Sequence, residues 1–318
     1  MHLMIPYAAP LSEAGRQASA TLRLPHLQAL LGRWIEVERD TADEWSLSPP
    51  HERARARALG LQGGSGQLPW AALQAQAEGV AVGDLAWGLI TPAHWHLGTD
   101  QVSLLDPTAL MLDEAASRTC LAAVQELFTS AGYALHYAAP LRWYVAHESL
   151  AQLATAALDR VIGRNVDVWL GTAPALQAIR RLQSEVQMVL YTHPLNDQRE
   201  AQGLLAINSF WLSGCGVAQA VTGAEPTTDN RLRAPALADD WAAWVKAWDT
   251  LDAGPLAELR QRAERGERGE RGEHGAALRL TLCGERGAAT FEPAPRSLLR
   301  RARQLFAAPA VQPLLESL

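Results

Sequence analysis

Apolar positions along this chain recur with two periods, and the period in force changes several times. Residues 3–5 form a short apolar run that predicts a strand. Over residues 24–34 the period is helical, with Leu27, Leu30, Leu31 and Trp34 on one face. Ser48-Pro49-Pro50 interrupts the chain, and residues 52–59, carrying Arg53, Arg55 and Arg57, then predict a helix. Gly63-Gly64-Ser65-Gly66 is a loop by composition, and residues 85–91 predict a mostly buried strand closed by Pro92.

The middle of the chain repeats the alternation. Leu121, Val124, Leu127 and Phe128 mark a helix over 113–131, which Gly132 can end in a left-handed cap. Residues 134–137 and 141–146 predict two strands about Pro140. Leu176, Ile179, Leu182, Val186, Val189 and Leu190 form a helical stripe between Pro174 and Pro194. Residues 205–212 predict a strand that ends in Ser213-Gly214-Cys215-Gly216, read as a sharp turn.

A polar loop at 222–229 opens the last third. Trp241, Trp244, Val245 and Trp248 then share one helical face, which burial statistics assign to core rather than to a stacking surface. Residues 264–275 repeat as ERG-ERG-ERG-EHG; glycine at every third position spoils a helix, so a solvated loop is expected. Leu278, Leu280 and Leu282 alternate as a buried strand, and residues 297–306 predict a final amphipathic helix. Helices alternating with strands favour an α/β fold.

Composition narrows the class. A chain of 318 residues, 48% hydrophobic and 19% charged, holds enough apolar side chain for one or two packed cores. It contains no run of apolar residues long enough to span a bilayer, and its first residues do not form a secretory signal. Three scattered cysteines build neither a disulfide framework nor a zinc ribbon. The expectation is a soluble, cytoplasmic protein, and a net charge of −6 argues against bulk nucleic-acid binding. Lys246 is the single lysine, which excludes a Walker loop with its Gly-Lys-Ser/Thr.

Three local patterns are candidates for chemistry. His94 and His96 would share one face of a strand and could hold one metal, with Asp100 or Asp106 adding oxygen; two hydrogen-bonded histidines at a junction are the plainer alternative. Cys215 between two glycines could be an exposed nucleophile or simply a small turn residue. Arg142, Arg160, Arg164, Arg180, Arg181 and Arg199 share one third of the chain with His193, Asn196 and Asn208. Arginine forks and amides are what a small anion requires, although solvated helix faces account for part of that set.

The run His193-Pro194-Leu195-Asn196-Asp197-Gln198-Arg199, followed by Gly203 and by Asn208-Ser209-Phe210-Trp211-Leu212-Ser213-Gly214-Cys215-Gly216, resembles a stretch of the archaeal-type cofactor-independent phosphoglycerate mutases. There, His-Pro-Val-Asn-x-x-Arg precedes Asn-x-x-Trp-Leu-x-Gly-x-Gly. Leu141-Arg142-Trp143, Trp87-Gly88-Leu89-Ile90-Thr91 and Asp159-Arg160-Val161-Ile162-Gly163 resemble further family segments in the right order. The resemblance implies an alkaline-phosphatase-like α/β core sheet flanked by helices, built from residues 1–84 and 217–318. Residues 85–216 would form an inserted α+β lid-like domain. It also implies two divalent metals and a serine nucleophile that move a phosphoryl group.

The segments expected to supply that chemistry depart from the family pattern. Pro6-Tyr7-Ala8 stands for Pro-Asp-Gly, and Pro50-His51-Glu52 for the serine segment. Asp252-Ala253-Gly254-Pro255 lacks the histidine of Asp-x-x-Gly-His. Cys283-Gly284-Glu285-Arg286 lacks an Asp-His pair, and Phe291-Glu292-Pro293 its histidine. The expectation is therefore a degenerate family member with no catalytic residue and no cofactor. It would bind a small phosphorylated metabolite or act in regulation, with Arg142, Arg164, His193, Asn196, Arg199 and Asn208 as the contact set. The alternative is an active metal-dependent mutase or phosphatase in which Ser48 or His51 acts near the nucleophile position. Glu52, Asp252, Glu285 or Glu292 would then hold Mn, Mg or Zn. No sequence feature specifies a protein partner.

Overall fold

A computed structural model describes residues 1–171, 174–265, 278–294 and 311–318. Most of the glycine repeat and the helix expected over 297–306 lie outside the described residues. The chain divides into two compact units, one of Met1–Trp45, Pro49–Leu59 and Gly223–Leu318, the other of Ser46–Ser48 and Gly60–Thr222. Both are mixed α/β, with a central sheet flanked by helices; elements are numbered along the whole chain.

The first unit is built on a five-stranded sheet, β2 (Trp34–Thr41), β11 (Gly287–Pro293), β10 (Arg279–Cys283), β1 (His2–Ile5) and β9 (Thr227–Thr228), in that spatial order. β1 runs parallel to β10 and β9, while β11 is antiparallel to β10 and β2. Strand alternation sorts the faces. Leu3, Ile5, Leu280, Leu282, Ala289 and Phe291 share one core with α2 (Pro25–Leu31), α11 (Trp241–Leu251) and α12 (Ala257–Glu264). Met4, Cys283 and Ala288 meet Ala54 of α3 (Pro50–Leu59) on the other face. Helices α1 (Glu13–Ala20), α10 (Arg233–Leu237) and α13 (Val311–Glu316) complete the unit.

Trp244 and Trp248 are fully buried with edge-to-face rings 6.1 Å apart, so the tryptophan stripe is core. At ~25 cal/mol per Å² and roughly 200 Å² per indole, each contributes on the order of 5 kcal/mol of gross burial. Trp34 does not extend the helix before it. The helix ends at Gly32, and Trp34 opens β2 while still reaching the same core. Between α11 and α12 the turn Asp252–Leu256 is π-helical and contains Pro255. Proline has no N–H to give to the ladder, and widening one turn keeps the helix continuous.

The second unit has an antiparallel sheet in the order β6 (Ala134–Ala139), β7 (Arg142–Ala146), β3 (Ala86–Ala93) and β8 (Ser209–Val217). Trp143, Val145, Ile90, Phe210 and Leu212 pack with α5 (Glu114–Ser130) and α8 (Gln177–Tyr191). Tyr144, Ala146 and Trp87 face α4 (Trp70–Ala77), whose Ala71, Ala72 and Ala75 allow close approach. A small hairpin, β4 (Trp95–Leu97) with β5 (Val102–Leu104), and helices α6 (Leu158–Val161), α7 (Val166–Trp169) and α9 (Pro194–Ala201) surround these layers.

Two expectations about strands are corrected. β3 runs through Pro92, which pairs with Phe210; pairing with β7 ends at Ile90, so the missing N–H costs no bond there. Residues 213–216 are not a turn but part of β8. Trp87 pairs with Gly216 and Leu89 with Ser213, so β8 carries one extra residue, a bulge with Gly214 at φ +63°. No helix among the described residues is long and apolar enough to cross a membrane.

Candidate functional site

A cleft of ≈ 410 Å³ opens in the second unit between the first turns of α5 and one side of α9. Helix α5 begins at Asp113, whose extended backbone and side chain form the N-cap, with Oδ1 accepting the N–H of Ala116 at 2.8 Å. Helix α9 begins at Pro194, where the absent N–H is harmless. His193 caps it, with Nδ1 accepting the N–H of Leu195 at 3.2 Å. A ring nitrogen that accepts carries no proton, so the neutral imidazole is a donor at Nε2.

Arg199, six residues further along the chain in α9, is 4% exposed and lines the same cleft. Its Nε donates to the Leu205 carbonyl at 2.8 Å and its Nη2 to the Leu110 carbonyl at 2.5 Å. Among the described residues its Nη1 has no hydrogen-bond partner. Burial lowers its pKa, opposed by attraction to Asp113, but a guanidinium remains charged in proteins. Arg199 and Asp113 make no direct ion pair. The cleft thus has a positive wall on α9 and a negative wall at the start of α5. Gln198 and Thr119 add an amide and a hydroxyl, and Met111, 69% exposed at φ +44°, lies on its rim.

Helix α9 therefore brings together two of the six residues expected from sequence, His193 and Arg199. Asn196 lies on the same helix but is buried, with Nδ2 donating to the carbonyls of Leu190 and Ile207 and Oδ1 accepting the N–H of Ile207, each at 2.8 Å. It ties the end of α8 to the approach of β8. Asn208 makes a two-bond clamp on the backbone of Trp95, at 2.7 and 2.9 Å. Arg142 pairs with Glu78 at 2.7 Å, and Glu78 also accepts the Tyr144 hydroxyl at 2.8 Å. Burial and then that carboxylate push the phenol well above its ordinary pKa. Arg164 is half-buried after Gly163 at φ +73°. Arg142, Arg164, Asn196 and Asn208 do not line the cleft.

Asp113, Thr119 and Gln198 line the cleft but are not among the six residues expected as contacts. Asp113 carries a readable signal, an aspartate just before a helical stripe, but that signal speaks of capping and not of a cleft.

Among the described residues no three His, Cys, Asp or Glu side chains converge on a point where a metal ion would sit. The described residues therefore do not fit a two-metal centre. Three of the four carboxylates expected as alternative ligands have partners of their own. Asp252 accepts the amides of His26 and Leu27, Glu285 that of Leu11, and Glu292 pairs with Arg279. The rings of His94 and His96 lie 6.5 Å apart, with His94 Nδ1 bonded to the Ala206 carbonyl at 2.8 Å. Cys215 is buried in β8, where burial pushes its thiol up to about 12, the reverse of an activated nucleophile.

The sequence matches no family model and no curated protein. Among solved structures, it is similar to the cofactor-independent phosphoglycerate mutase from Thermoplasma acidophilum DSM 1728, at 12% identity and a TM-score of 0.38, over 91% of this chain and 88% of that one. It is similar also to the PH0037 protein from Pyrococcus horikoshii, at 12% identity and a TM-score of 0.39, over 92% and 87% of the two chains.

Proposed function

We propose that this chain is a phosphoglycerate mutase-like protein that binds a small phosphorylated anion rather than turning one over, and that the anion sits in the cleft beside α9. One observation carries the reading: a buried arginine and a donor histidine line one side of a cleft large enough for a small metabolite. Nη1 of Arg199 and Nε2–H of His193 are the donors offered to phosphate oxygens, and Gln198 adds an amide. The carbonyls of Leu110 and Leu205 hold the guanidinium in place, so little side-chain entropy is lost when the anion arrives.

Calorimetric titration of the full chain with 3-phosphoglycerate tests this. Saturable binding is expected, weakened at least about tenfold in His193→Ala and in Gln198→Ala, a change of ~1.4 kcal/mol. Thermal unfolding of each variant establishes that it is folded. Titration heats indistinguishable from buffer, or binding that both variants retain in full, would refute the site.

A further inference from the structure

The cleft presents two signs of charge, and a plain anion uses only one of them. Its α9 side carries Arg199 and His193, while its α5 side carries the carboxylate of Asp113. Oδ1 of Asp113 is committed to the Ala116 amide at 2.8 Å, and as an ionised carboxylate it keeps further acceptor capacity. Glu114, the next residue, is already paired with Arg118 at 2.8 Å, which leaves Asp113 as the less compensated charge of the two. Asp113 and Arg199 feel each other electrostatically yet make no direct ion pair. A ligand of one sign would satisfy the α9 wall and be repelled by the α5 wall; a ligand with both signs would satisfy both.

We infer that the cleft selects a phosphorylated zwitterion, a small molecule that presents its phosphate to Arg199 and His193 and an ammonium group to Asp113. This deepens the reading above and rests on it. Gln198 and Thr119 are suited to an intervening carboxylate or hydroxyl, and Met111 on the rim offers a polarisable apolar contact to the ligand's carbon skeleton. The selection is electrostatic and takes place in a partly desolvated groove, where a charge–charge contact is stronger than in bulk water. The class is that of phosphorylated amino acids and amino alcohols.

Two probes of matched configuration isolate the point, because O-phospho-D-serine (the O-phosphoserine used below) and 3-phospho-D-glycerate differ only in an ammonium group against a hydroxyl. Titrated into the full chain at pH 7, O-phosphoserine is expected to bind about tenfold more tightly, equivalent to ~1.4 kcal/mol. In Asp113→Asn that preference is expected to fall below about twofold while 3-phosphoglycerate binds as well or better, because asparagine caps a helix as well as aspartate does. Equal affinities in the wild-type chain, or a preference that survives Asp113→Asn, would overturn the zwitterion while leaving a His193-dependent anion site standing. Failure of both probes to bind, or binding of both that ignores His193→Ala, would overturn the inference and the site together.

Discussion

The carboxylate of Asp252 accepts the backbone N–H of Leu27 at 2.8 Å across 225 residues of sequence, and that of the neighbouring His26 at 3.1 Å. Helix α2 has no capping side chain of its own, since Leu24 occupies the N-cap. A residue in the π-helical turn between α11 and α12 supplies the missing cap, and its charge faces the positive end of the helix dipole. Asp252 is 4% exposed, so nothing in solvent would replace it.

Asp252→Ala is therefore expected to cost about 2–3 kcal/mol, the sum of a lost cap and of two amides left without an acceptor. Asp252→Asn retains one carbonyl oxygen and is expected to lose roughly half as much. Urea unfolding measures both. Equal losses in the two variants would show that charge, not acceptor geometry, holds the helix, and no loss would remove the tertiary cap from the account.

Asn196 is the corresponding knot in the second unit. With three hydrogen bonds to backbone groups at roughly 1 kcal/mol each, Asn196→Ala is expected to cost about 3 kcal/mol. Asn196→Asp is expected to be worse at neutral pH, because it sets a carboxylate against the carbonyls of Leu190 and Ile207. Hydrogen exchange at the Ile207 amide should quicken in both variants. An Asp variant as stable as wild type would contradict the orientation of the side-chain amide.

What could be read from sequence was local. The stripes of α5, α8 and α11 announce their buried faces, and Gly132 does end a helix at φ +87°. Gly214 and Gly216 were legible as residues needing unusual backbone, but a bulge and a turn make the same demand on one residue. Only pairing with β3 tells them apart. Pro92 read as a stop because the sequence does not reveal that β7 ends beside Ile90. In the site, His193 and Arg199 came from one motif on one helix, whereas Asp113 arrives from α5, far upstream. The partners of Asn196 and Asn208 are backbone groups, which carry no sequence signature.

The cysteines give a test of the two cores. Cys120, Cys215 and Cys283 are all buried, and burial pushes the first two up to about 12 and the third higher still. At pH 8 a thiol of pKa 12 is ionised in only about one molecule in ten thousand, and the thiolate is the reacting form. The folded chain should release no chromophore from Ellman's reagent within minutes, and three equivalents once denatured. A rapid equivalent from the folded chain would place one of the three at the surface.

His2 links stability to pH. Its Nε2 hydrogen-bonds the Thr281 hydroxyl at 2.7 Å, and Thr281 in turn bonds Thr290 at 2.8 Å, forming a polar chain across β1, β10 and β11. Burial first, then the charge of Arg279 and that of the chain's amino group, lower the imidazole pKa to about 4 from 6.5. The unfolded chain therefore takes up this proton at a higher pH than the folded one. Between pH 6.5 and 4 unfolding is favoured progressively; above 6.5 the contribution is complete, and below 4 the loss is complete. Carboxylates also titrate in that window, so the informative quantity is the difference between wild type and His2→Gln. Glutamine keeps a hydrogen-bonding group near Thr281 but has nothing to protonate. Urea midpoints at pH 7.5 and 4.5 should show wild type losing more stability on acidification than the variant. Parallel losses in the two proteins would mean that His2 titrates alike folded and unfolded, and that the threonine chain does not hold it neutral.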